Sequence, residues 1–258
     1  MNQAWINAVD QVVSELLDRL QILAPPIDSL WVARKLGIQL VTDESQIGRG
    51  RCKRLGDRAT FFIRPEKRLE RLQWAVAHEL GECFAWRVAR SSGQDLDAGE
   101  GVTREAVANK FASRLLLPSR WFVTDAERCA GDLLTLKEIY RTASHESIAW
   151  RLLDLDQPTI ITICDQGKIT ARKGNEFSPP RVLHPHEKHM WRESHERNCS
   201  VEWEQSELKI QCWPIHEPDW KREVLRTTCR WEPDFAMDSA VADRLRPFRV
   251  AEQEDSWE

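Results

Sequence analysis

The sequence has no run of about eighteen consecutive apolar residues, so it offers no membrane-spanning helix. It has no C-x-x-C pair; its seven cysteines are scattered singly between positions 52 and 229. An odd, dispersed set argues against a disulfide framework and reads as reduced thiols in a cytoplasmic protein. There is no excess of basic residues. The 37 Lys and Arg stand against 41 Asp and Glu, a formal net charge of -4, which removes the electrostatic basis for direct nucleic-acid binding. The opening stretch, MNQAWINAVDQVVSELLDRL, lacks the basic start and apolar core of a secretory signal. Internal repeats are absent. Tyrosine is nearly absent, one against twelve tryptophans, and no structural reading attaches to that imbalance.

What is present is an ordinary globular balance: 258 residues, 41% hydrophobic and 30% charged, enough for one large domain or two modest ones. The apolar spacing of Val9, Val12, Val13, Leu16, Leu17 and Leu20 predicts a helix over 4–22, stopped by APPI at 24–27. A short helix to Lys35, capped by Asp28 or Ser29, and a strand at 38–42 follow. GRGRCKRLGDRATFFIRP (48–65) reads as a hairpin turning near Gly56-Asp57. Helices are predicted over 67–89 and 103–117, separated by a polar loop at 91–102, and then over 133–142 and 145–154. Beyond Asp156 the pattern alternates. Hairpins are predicted at 159–174, turning at Gln166-Gly167, and at 201–215. The expected class is α+β, with a domain over 1–156, a β-rich module over 157–240 and a disordered acidic tail over 241–258.

Within the 67–89 helix, Leu72, Val76, Leu80 and Phe84 form a core ridge. His78 and Glu82 stand one turn apart on another side, with Trp74 and Gly81 nearby, and Glu79 lies between the two faces. Side chains at i and i+4 can hold one ion, and a Glu directly after the first ligand can accept a proton from water. The motif reads His-Glu-Leu-Gly-Glu, with Glu82 where His-Glu-x-x-His places its second His. The alternative is a surface carboxylate, Glu82, paired with an arginine such as Arg87.

A third ligand must come from elsewhere. In TREAVANKFASRLLLP (103–118) the apolar stripe is Ala108, Phe111, Ala112, Leu115 and Leu116. Glu105 and Asn109 head the same inward face, where an unsatisfied polar group is expensive. A cation satisfies Glu105, and Asn109 then holds a ligand in place. The alternative is a first-turn Glu that interacts with the helix dipole and needs no metal.

AVAHELGE (75–82) and EAVANKFASRLLLP (105–118) resemble the paired motifs of the ImmA/IrrE family of metallopeptidases. PPIDSLWVARKLGIQL (25–40), the strands ending in FFIRP, and RTASHESIAWRLLDL (141–155) extend the likeness over about residues 10–155. The resemblance implies a gluzincin-like fold. It implies His78 as first metal ligand, Glu79 as general base and Glu105 as third ligand, with a sheet edge holding the substrate strand. It also implies a cytoplasmic endopeptidase that cleaves a helix-turn-helix (XRE-type) transcriptional repressor in a stress response or a mobile element. Zinc is the expected ion. Because Glu82 makes the set oxygen-rich and less positive, Mn²⁺ or Fe²⁺ becomes an alternative and electrophilicity falls. The second reading is a weak or inactive family member that acts as a partner-binding regulator.

Residues 133–154 have the outline of a helix-turn-helix, but without a basic face they read as packing against the protease core. LHPHEKHMWRESHE (183–196) holds four histidines. Pro185 breaks the local geometry and no Cys or Asp completes a set, so the stretch reads as a wet loop or helix start. Cys83 faces away from His78 and is expected in the core.

Overall fold

The computed structural model describes residues 2–45, 48, 50–55, 58–93, 96, 102–176, 178–206 and 208–229. The predicted turn at 56–57, most of the loop at 91–102 and the tail at 241–258 lie outside the described residues. The chain divides into two compact units, 1–151 and 152–258, so the division falls ahead of the expected boundary near 156. Both helices and sheets are present, an α+β architecture. Among the described residues no helix is long and apolar enough to cross a membrane.

The N-terminal unit begins with α1 (Gln3–Arg19), whose first turn is capped by Asn2 and whose apolar stripe, from Trp5 to Leu17, is buried. Asp28 caps α2 (Ser29–Lys35), accepting from the main-chain N–H groups of Leu30 and Trp31. Strands β1 (Gln39–Thr42), β2 (Gly50–Leu55) and β3 (Arg58–Ile63) form a sheet of order β1-β3-β2, with β1 parallel and β2 antiparallel to β3. β2 is therefore an edge strand. Then come α3 (Leu69–Ser92), ended by Gly93 in the left-handed conformation (φ 69°), and α4 (Arg104–Leu116), capped by Thr103. Pro118 closes α4 and opens α5 (Ser119–Arg128), a helix that the sequence pattern does not predict. Only Phe122 and Ala126 of α5 are buried, too few for a helical period to register. α6 (Leu133–Ile139) and α7 (His145–Arg151) complete the unit.

One hydroxyl ties four of these elements together. Ser119 Oγ, at the start of α5, donates to Asp10 Oδ1 of α1 at 2.5 Å. It accepts from Arg114 Nη1 of α4 at 3.0 Å and from Arg151 Nη2 of α7 at 2.8 Å. Arg151 is 1% exposed, and its Nε also donates to the Leu117 carbonyl. The arginine that the sequence motif at 141–155 carries is thus a structural brace.

The C-terminal unit opens with a 3-10 turn (Leu152–Asp154) and a five-stranded antiparallel sheet of order β5-β4-β8-β7-β6. The strands are β4 (Thr159–Asp165), β5 (Lys168–Gly174), β6 (Val201–Gln205), β7 (Leu208–Pro214) and β8 (Arg222–Cys229). Helix α8 (Pro185–Arg197) packs on β6, β7 and β8. Cys164, Met190, Ile210, Cys212 and Leu225 form its core. Neither α8 nor β8 is legible from pattern. α8 buries only Glu187, Met190 and Ser194, and β8 buries Glu223, Arg226, Thr227 and Thr228, so polar letters hide both. Two arginines neutralise buried carboxylates here: Arg172 pairs with Glu187 at 2.8 Å, and Arg222 with Asp165 at 2.6 Å.

Asp165 gives an acid-stability expectation. Burial pushes its carboxyl up, but hydrogen bonds from Arg222, Thr170 and Trp220 more than offset this and hold it below the ordinary value of 3.8. The folded state therefore binds the proton less well than the unfolded one. The stabilisation is complete above the ordinary value and is lost as pH falls through the lower, folded value. Asp165→Asn is expected to destabilise this unit at neutral pH by about 2–4 kcal/mol and to flatten its loss of stability below about pH 4. Urea unfolding at several pH values checks both effects; an unchanged pH slope in the variant counts against the assignment.

Candidate metal centre

The site exists because α3 and α4 touch at main-chain level. A Cβ on Gly81 would lie 2.7 Å from both the Cα and the carbonyl oxygen of Ala108. Only glycine at 81 permits this approach. It brings the outward turn of α3, carrying His78 and Glu82, against the first two turns of α4, carrying Arg104, Glu105 and Asn109. One nitrogen of His78 and one carboxylate oxygen each of Glu82 and Glu105 lie within 4.8 Å of one another. The three residues singled out in the sequence thus converge.

The hydrogen bonds orient the ring of His78. Asn109 Nδ2 donates to Glu105 Oε1 at 2.9 Å, so its carbonyl Oδ1 is the atom 3.2 Å from His78 Nδ1. An amide oxygen only accepts, so Nδ1 carries the proton and Nε2 keeps its lone pair in the neutral ring. Nε2 lies 3.4 Å from Glu105 Oε2. A lone pair facing a carboxylate oxygen needs a cation or a proton between them. Neighbouring ligand atoms around a four-coordinate ion with bonds of about 2.1 Å stand about 3.4 Å apart. The donor set and its spacing fit a divalent ion, and Asn109 takes the place its sequence position suggests, orienting a ligand and a carboxylate together.

Glu79, next to His78, is 6% exposed. It accepts from the Cys52 main chain of β2 and packs where a side chain on Gly50 would stand, 2.7 Å from its Oε1. Burial pushes its carboxyl above the ordinary range, and the charges of Glu82 and Glu105 add to this against the opposing pull of His78 and the Cys52 N–H. A carboxyl placed so takes up a proton more readily than one in water.

Three expectations are corrected. Glu105 and Asn109 head the α4 stripe but open to solvent, and the Glu105 side chain is 68% exposed. Burial therefore does not demand a cation there; convergence with His78 carries the case. Glu82 pairs with Arg104 Nε at 2.6 Å rather than with Arg87, which binds Glu15. Arg104 also donates to the Glu82 carbonyl. Cys83 is exposed rather than in the core, its sulfur 3.7 Å from that of Cys52. Sequence reasoning missed Arg104, although its place directly before Glu105 at the start of α4 is a usable signal.

The four-histidine stretch is a helix start, one of the two forms expected, and continues as α8. His184 caps it in a reciprocal arrangement with Glu187, which makes Pro185 a first-turn residue and not a break. His186 stacks on Trp203, and His189 lies 3.9 Å from Glu193. His195 alone meets a second cluster, with His216 and Glu223.

No protein-family model matches the chain, and no curated protein matches it. Among solved structures it is similar to a Mycobacterium tuberculosis transcriptional regulator, at 16% identity and a TM-score of 0.60. The match covers 88% of this chain and 81% of that one, a likeness of fold.

Proposed function

We propose that the N-terminal unit is a gluzincin-like, metal-dependent endopeptidase related to the ImmA/IrrE proteins. His78, Glu82 and Glu105 would hold a divalent ion, Zn²⁺ before Mn²⁺ or Fe²⁺, and Glu79 would be the general base. The observation that carries this reading is the convergence of those three donors beside a buried carboxyl with a raised pKa. When bound, such an ion supplies Lewis acidity that polarises a peptide carbonyl and acidifies water. Glu79 takes a proton from the attacking water and returns it to the departing amine. Asn109 keeps His78 in the tautomer that leaves Nε2 free. Among the described residues β2 is an edge strand of its sheet and rests against Glu79 through Gly50 and Cys52, so an extended peptide paired with that edge would arrive beside the proton acceptor.

Arg104 changes the electrostatic consequence of Glu82. One imidazole and two carboxylates cancel the charge of a divalent ion, which weakens it as an electrophile. The guanidinium on Glu82 returns one positive charge to the cluster and leaves one carboxylate oxygen for ligation. The substrate class we propose is a cytoplasmic helix-turn-helix repressor, on the motif resemblance alone. A non-catalytic, partner-binding regulator is the second reading, favoured by the name of the structural neighbour, a transcriptional regulator.

Glu105→Ala separates the two. Protein purified without chelator is expected to lose one bound ion per chain on this substitution, with Zn²⁺ affinity at that site falling at least about 100-fold. EDTA is expected to lower the melting temperature of the N-terminal unit in the wild type and not in the variant. Equal metal content in both proteins supports the regulator.

A further inference from the structure

We propose that the C-terminal unit carries its own divalent transition-metal site, built from His195, His216 and Glu223. The residues come from three elements: the last turns of α8, the segment between β7 and β8, and β8 itself. His195 Nδ1 lies 2.7 Å and His216 Nε2 2.6 Å from the same oxygen, Glu223 Oε1. The two rings meet edge to face with centroids 5.5 Å apart.

Three observations point to a cation. First, Glu223 is fully buried at 0% exposure, yet among the described residues it is the one buried carboxylate of this unit without a guanidinium. Glu187 has Arg172 and Asp165 has Arg222, while Glu223 meets no Arg or Lys at ion-pair distance among the described residues. A buried carboxylate needs a compensating charge, and a divalent ion held between the three donors would supply it. Second, Glu223 Oε2 is held by Trp191 Nε1 at 2.9 Å, which leaves Oε1 as the ligand atom and fixes its direction, as outer partners do at metal sites. Third, two imidazole nitrogens and one carboxylate oxygen form a borderline donor set that selects Zn²⁺ and its neighbours over Mg²⁺ or Ca²⁺.

In the metal-free state each imidazole donates an N–H to Oε1. An ion replaces both donors with lone pairs and spreads the three atoms to about 3.4 Å. His195, whose side chain is 37% exposed, and His216, outside any strand, have room for that shift. The exposed side at His195 leaves a fourth position open to water or an anionic ligand. The ion would clasp α8 to the β7–β8 hairpin. This site is separate from the Glu105 cluster and does not depend on its assignment.

The test is a Zn²⁺ titration against a chromophoric chelator with four full-length proteins: wild type, Glu105→Ala, the double variant His195→Ala/His216→Ala, and the triple combination. Glu105→Ala is expected to retain one Zn²⁺ that the triple variant binds at least about 100-fold more weakly. Zn²⁺ is also expected to raise the melting temperature of Glu105→Ala and not of the triple variant. If Glu105→Ala binds no Zn²⁺, or binds it as tightly as the triple variant does, the proposal is overturned. Should the double substitution prevent folding, His216→Asn in the Glu105→Ala background carries the same comparison: weaker Zn²⁺ binding supports the site and unchanged binding overturns it.

Discussion

Gly81→Ala is expected to lower the melting temperature of the N-terminal unit by about 4–8 °C, the counterpart of roughly 2 kcal/mol in a unit of this size. The sign is informative, because two effects oppose. Alanine is the better helix former by about 1 kcal/mol, so on a free helix the change would stabilise. Here the new methyl meets the Cα and carbonyl oxygen of Ala108 at 2.7 Å. These are main-chain atoms and cannot rotate aside, so α3 and α4 must part, and overpacking of this kind costs about 1–3 kcal/mol or more. Ala108→Gly is not expected to rescue the variant, since it removes none of the clashing atoms. As the helices part, His78 leaves Glu105, and ion affinity falls with stability. A stabilised Gly81→Ala protein with unchanged Zn²⁺ binding would refute the close helix contact on which the N-terminal site depends.

Glu79→Gln is expected to do the reverse: abolish chemistry and spare structure. Removing the proton acceptor should lower hydrolysis by about 10²–10⁴-fold. The amide fills the same volume beside Gly50, and its oxygen still accepts from Cys52, so the fold is retained. Because burial disfavours the charged form of Glu79, stability should stay level or rise slightly. The Glu105-dependent ion should remain. Cleavage of an unbiased peptide library, read by mass spectrometry, gives the activity; an equally active Gln variant removes Glu79 from the mechanism, and no cleavage by either protein leaves the regulator reading ahead.

The N-terminal site is legible in the sequence because its information is local. His78 and Glu82 are one turn apart, Glu105 and Asn109 likewise, and the helical period alone says which share a face. What periodicity cannot give is the distance between two helices, and so Arg104 at Glu82 and the exposure of Glu105 emerge only in three dimensions. The second cluster is illegible for the same reason in a stronger form. His195, His216 and Glu223 come from three elements, two of which, α8 and β8, carry polar residues on buried faces. A buried polar side chain contradicts the rule by which strands and helices are read from hydrophobic alternation. The two predicted hairpins at 159–174 and 201–215 match β4–β5 and β6–β7, where alternation and turn residues agree. α5 escapes because a helix that buries two side chains leaves almost no trace.

The Ser119 hydroxyl has a practical meaning for anyone seeking a minimal folded fragment. Asp10 of α1 is the acid that accepts its proton, and through that hydroxyl it meets the guanidiniums of Arg114 and Arg151. Trimming the chain ahead of α2 would strip two enclosed cations of their shared anion and delete Trp5, Val9 and Leu17, baring the faces of α3 and α4 on which α1 packs. The first helix is accordingly a keystone, and the N-terminal unit cannot be pared down from that end.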